Sequence, residues 1–138
     1  MNIQYIDQLL WRFTMSKTYV VQSATLKCSF GDQDGSLQVP QDHRTTINGK
    51  PQANIMDYQP LQNITPFGKC KSRANPTVAA ATAANRGRLK PMPCVPATVT
   101  PWMNGKTDNL VGNFPALTNK STCLCRWKGK IEVTEDGQ

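Results

Sequence analysis

Apolar and polar residues alternate along this chain in runs of only three to six, each cut off by glycine, proline or Asn-Gly. Residues 18–30, TYVVQSATLKCSF, are β-prone, with Val21, Leu26 and Cys28 as candidates for inward-facing positions. GDQDG at 31–35 reads as a turn, and 36–39 as a short strand stopped by Pro40. Residues 44–48 predict another strand, reversed by Asn48-Gly49, a strong hairpin signal. A further strand is expected over 53–56, with Asp57 at the next turn. Strands this short suit a small, wound β architecture better than a wide sheet.

Two stretches depart from the β pattern. In residues 1–14, Ile3, Ile6, Leu9, Leu10 and Phe13 recur at helical spacing, with Asn2, Asp7, Gln8 and Arg12 on the other faces. An isolated helix of this length is marginal in water, so its apolar face needs a surface to cover it. Residues 1–15 therefore read as an extension and 16–138 as the domain; the alternative is a misassigned start, because Met15 opens MSKTYVV, which has the form of a chain start. The second stretch, RANPTVAAATAANRGRL at 73–89, predicts one short helix: Asn75 caps, Pro76 suits the first turn, the alanines propagate and Gly87 stops it. Its apolar character predicts packing against the β body, and it carries no catalytic group.

Beyond the helix, KPMPCVPATVTPW forces extended backbone around Cys94 and forbids a central strand. A second unit then echoes the first. Asn48, Gly49, Lys50, Leu61 and Asn63 recur as Asn104, Gly105, Lys106, Leu117 and Asn119, and Pro40 as Pro96, at a constant offset of 56 positions. Ile47, Ile55 and Tyr58 meet Met103, Val111 and Phe114 at the same offset, which predicts two related supersecondary units on a common core. A last strand is expected over 130–134, followed by a polar tail.

Composition changes this picture in two ways. The chain has 138 residues, enough for one modest core, but only 38% are hydrophobic, while ten are proline and nine glycine. Such a core needs reinforcement, and five cysteines offer it: Cys28, Cys70, Cys94, Cys123 and Cys125. No secretory signal or membrane-length apolar run is present, so a reducing compartment and no stable membrane insertion are expected. There, clustered cysteines hold metal more often than they form disulfides, although buried thiols and disulfides remain open readings. The formal charge of +7 suits a polyanion partner, yet the cations are scattered. Arg126, Lys128 and Lys130 alternate with Trp127 and Ile131 as on the solvated face of a strand. Nucleic acid is therefore not the expected partner.

Catalytic constellations are missing: there is one histidine, no nucleophile elbow and no phosphate loop, and Asp42, Asp57, Asp108 and Glu132 are scattered acids with no evident pairing. A non-enzymatic protein is expected. Metal ligation by three or four thiolates from distant segments favours a closed structural site holding zinc, with iron as the alternative. Cys123 and Cys125 share a face if both lie in a strand, so either or both can ligate. His43 is a further candidate ligand, competing with a surface role beside Asp42 and Arg44.

The motifs CSFG at Cys28, GKPQANIMD at Gly49, NITPFGKC ending at Cys70, ANPTVAAATAA, LKPMPCVP around Cys94 and PALTNKSTCLCRW around Cys125 together resemble the PAAR-like proteins, long described only as a domain of unknown function. The resemblance runs over about 19–133 with the motifs in order. It implies a mainly β fold, a small cone of short strands, capping the trimeric VgrG-type spike of a type VI secretion or related contractile injection system. It also implies a monomer, made in the bacterial cytoplasm and exported by that machinery without a signal peptide. Carried over position by position, the family's cysteine pattern falls on Cys28, Cys70, Cys94 and Cys125. An N-terminal extension in some members implies that Ile3, Ile6, Leu10 and Phe13 contact an effector cargo. Two departures stand out: Lys128-Gly129 replaces the Gly-Gly common after the tryptophan, and Cys123 is an extra thiol. The competing reading is a cytosolic zinc-binding module that contacts nucleic acid through its basic surface.

Overall fold

A computed structural model describes residues 17–40 and 42–138. The expected amphipathic helix, with Ile3, Ile6, Leu10 and Phe13, lies outside the described residues. The described chain is mainly β, with small antiparallel sheets and one short helix. β1 (Thr25–Cys28), β2 (Gly35–Ser36), β9 (Thr122–Leu124) and β10 (Lys130–Glu135) form a four-stranded sheet in the order β2-β1-β10-β9. Leu26, Cys28, Cys123, Ile131 and Val133 alternate inward from it. Pairs of strands form the rest: β3 (Thr46–Ile47) with β4 (Lys50–Pro51), β5 (Lys69–Cys70) with β6 (Met92–Pro93), and β7 (Lys106–Val111) with β8 (Phe114–Ala116).

The turn chemistry explains this fragmentation. Asn48 and Gly49 both take left-handed backbone, φ 54° and 80°, as a two-residue hairpin between Ile47 and Lys50 requires. Proline limits β6 to two residues, which pair with β5 alone in a two-stranded sheet. Residues 53–56, expected as a strand, make a single bridge, Asn54 to Ala116, and then turn. The Asn54 side chain accepts the Met56 N–H and so competes with ladder formation. Asn104 repeats the left-handed backbone of Asn48, φ 64°, but the strands that follow differ, β7 being six residues long where β4 has two.

The helix α1 (Pro76–Ala84) forms where its caps predict. Asn75 Oδ1 accepts the Thr77 N–H, and Arg86 and Gly87 leave the helix in left-handed backbone. Only Val78 and Thr82 are buried, so the alanines are mostly solvated rather than packed. The segment Trp127–Lys128 is a turn and not the solvated strand expected.

The core runs through Val20, Leu26, Leu37, Ile64, Phe67, Leu117 and Ile131, joined by Val78 and four of the five cysteines. Both ends of the described chain are fastened to it. Tyr19 bridges Thr118, the Val21 N–H donates to the Asp136 carbonyl, and Gln138 Nε2 donates to the Tyr19 carbonyl. The polar tail is thus part of the body.

Candidate metal centre

Four segments bring cysteines to one pole. Cys28 ends β1, and its carbonyl accepts the Gly31 N–H at 3.0 Å. Gly31 bridges Cys70 at the end of β5, and the Lys71 N–H donates to the Phe30 carbonyl at 2.9 Å. Cys94 follows β6 and donates its N–H to the Gly68 carbonyl at 2.7 Å. Cys125 follows β9, bridges Thr98 and donates to the Gly129 carbonyl at 2.8 Å. Gly129 sits between two of the thiols: a Cβ there would lie 2.7 Å from Cys28 Sγ and 3.5 Å from Cys125 Cβ.

All five cysteines are free, and Cys28, Cys70 and Cys94 are buried. Burial raises the pKa of the Cys28 thiol; the Phe30 N–H offsets part of this, and Cys125 and Cys70 raise it further. Burial likewise raises Cys94, offset in part by a backbone hydrogen bond from Phe67, with Cys70, Cys28 and Cys125 adding to the rise. Each of these two thiols therefore feels the other members of the set. Burial and mutual repulsion thus disfavour the thiolate forms of Cys28 and Cys94, so a bound cation would have to supply the compensating charge, and four soft sulfur donors match zinc or iron chemically. Among the described residues, no three His, Cys, Asp or Glu side chains stand close enough to make a ready-made metal shell. The donor set fits; the side chains share a pole without closing on a point.

Cys123 belongs elsewhere. It is fully buried in the core, pairs with Ile131 across the sheet and donates to the Thr100 carbonyl at 3.6 Å. Burial pushes its thiol up to about 12, with Cys125 a lesser cause. It packs as a small hydrophobe.

His43 is not gathered with the thiols. Its Nε2 meets the Asp57 carboxylate at 2.9 and 3.1 Å. Asp57 is buried, and desolvation raises its pKa against the opposing pull of the Asn54 N–H and His43. The carboxylate also accepts from Asn54 N at 2.9 Å, while Trp102 Nε1 donates to its backbone carbonyl. The pair lies in an open groove of about 730 Å³ lined also by Gln59, Gln62, Asn63 and Phe114. This acid, read from the sequence as unpaired, thus has a partner fourteen positions away.

Sequence reasoning also missed the two residues that shape the thiol pole. Gly129 admits the Cys28 side chain, and Ser72 Oγ donates to the Trp127 carbonyl at 2.6 Å, joining the Cys70 and Cys125 loops. The signal for Gly129 was present in the glycine after the tryptophan; Ser72 carried none.

No curated protein and no solved structure matches the chain. One family model does, described as a domain of unknown function, DUF4280, and it covers residues 20–138. That span takes in all five cysteines, α1 and every described strand, and the chain belongs to the DUF4280 family.

Proposed function

We propose that this protein is a non-enzymatic, metal-stabilised tip that caps the trimeric VgrG-type spike of a contractile injection system. The reading rests on the motif resemblance to PAAR-like proteins. The observation that best supports it is the gathering of Cys28, Cys70, Cys94 and Cys125 from four distant segments at one pole of a body built from short strands. A tip works by stiffness and docking, and a zinc ion held by these four thiolates would supply stiffness that strands of two to six residues do not. The metal's role is cross-linking and involves no reaction.

The tip is made in the bacterial cytoplasm as a monomer and leaves with the spike. Ile3, Ile6, Leu10 and Phe13 form the cargo contact on this reading. The test is co-expression with a trimeric spike protein from the same genome, followed by mass measurement of the purified complex. One copy of this chain per three spike chains is expected; no complex, or a symmetric three-to-three complex, overturns the proposal.

A further inference from the structure

We propose that the surface over the thiol pole is a docking site for anionic phospholipid head groups. Backbone pairing assembles this surface from three segments. The middle one, residues 93–98, is held on one side by Lys69–Pro93 pairing and the Cys94 N–H to Gly68. On the other side, Thr98 bridges Cys125 and the Arg126 N–H donates to the Ala97 carbonyl at 2.8 Å. The Ser72–Trp127 hydrogen bond then ties the two outer segments together.

The outer segments carry Lys69, Lys71, Arg73, Arg126 and Lys128, all exposed. None of the five joins any of the ion pairs found among the described residues. Asp32, on the adjoining turn, accepts the Lys69 backbone N–H. Arg126 lies 5.6 Å from the centre of the half-buried Trp127 ring. Beside these cations, Val95 is 57%, Val99 62% and Leu124 48% exposed. Antiparallel pairing of Thr98 with Cys125 sets Val99 next to Leu124.

This combination favours a lipid surface over a nucleic acid. Single-stranded nucleic acid is held by cations plus several exposed stacking aromatics, whereas here the exposed apolar groups are the aliphatic Val95, Val99 and Leu124, and the aromatics at this pole, Phe30 and Trp127, are half-buried. Cations beside short aliphatics and a tryptophan match the boundary between head groups and acyl chains. The patch binds peripherally, through phosphate contacts and shallow apolar burial, and does not span the bilayer. The inference does not depend on the spike reading.

The experiment is sedimentation of the full chain with vesicles of phosphatidylcholine, with and without phosphatidylglycerol, at low and high salt. Binding to the anionic vesicles that weakens with salt is expected, with little binding to the neutral ones. Each cation near such a surface is worth on the order of fivefold, so Lys71→Gln/Arg126→Gln/Lys128→Gln should weaken binding by roughly a hundredfold. Lys17→Gln/Lys120→Gln, flanking the Tyr19–Thr118 bridge instead, should leave it within about twofold of the parent. Val95→Ser/Leu124→Ser keeps every charge and should weaken vesicle binding without changing retention on heparin. Indifference to lipid charge overturns the proposal, as does binding that survives the triple substitution. Tighter binding of duplex DNA through the same residues also overturns it and assigns the patch to nucleic acid.

Discussion

Cys123 and Cys125 stand two residues apart in opposite surroundings. The Cys123 thiol lies in the apolar core with one carbonyl for a partner, and burial holds its proton. The Cys125 side chain is partly exposed and sits across Gly129 from Cys28. We therefore expect Cys125→Ser to abolish stoichiometric zinc, measured by elemental analysis of protein purified without chelators. Cys123→Ser should retain the metal yet lower the unfolding free energy by about 1–3 kcal/mol, because a hydroxyl enters the core. Equal metal loss in the two variants would reassign the ligand. The choice between these thiols was not legible in the chain. Alternation gives both the same face, and only the end of β9 at Leu124 separates them. The pairing of His43 with Asp57 was hidden for a similar reason: both residues sit on irregular backbone, where no periodicity constrains which side chains meet.

Elements were more legible where the backbone dictates them. Asn75-Pro76 and the alanines fixed α1, and Asn48-Gly49 fixed the β3–β4 hairpin, because caps and left-handed turns depend on adjacent residues alone. The strand expected at 53–56 failed because Asn54 and Asp57 draw the backbone hydrogen bonds to their side chains. Position 128, where the resemblance to PAAR-like proteins implies glycine, has a backbone that favours glycine. Lys128 adopts φ 72°, within the left-handed region, and its N–H closes the turn on the Cys125 carbonyl at 2.9 Å. A glycine there takes this conformation without a Cβ penalty of about 1–2 kcal/mol, part of which glycine's greater unfolded-state freedom returns. Lys128→Gly should therefore raise stability by roughly 0.5–1 kcal/mol in a urea titration, with metal content unchanged. A destabilised variant would mean that the lysine side chain stabilises the turn by more than the strain costs.

At the scale of the whole molecule, stability is spread thinly. Among the described residues the largest sheet has four short strands, the other three have two each, and several segments touch their neighbours through single bridges. The core is one cluster, and Cys28, Cys70 and Cys94 lie within it while Cys125 packs against its rim. A metal ion joining these four would close loops between residues 28 and 125, almost the full span of the domain. Because the unfolded chain presents no such arrangement, the ion's binding free energy adds to folding stability. At a free zinc concentration about a thousandfold above the dissociation constant, the gain is about 4 kcal/mol. For a domain of this size, each kcal/mol moves the melting temperature by roughly 3–6 °C, which predicts a fall of about 12–24 °C on stripping the metal. Differential scanning calorimetry before and after dialysis against a strong chelator measures this directly, and added zinc should restore the original transition. The Cys125→Ser variant provides the internal control, since its melting temperature should not respond to the chelator. A parent protein that melts at the same temperature with and without chelator would show that the β body is self-sufficient and that the four thiols are buried for packing alone.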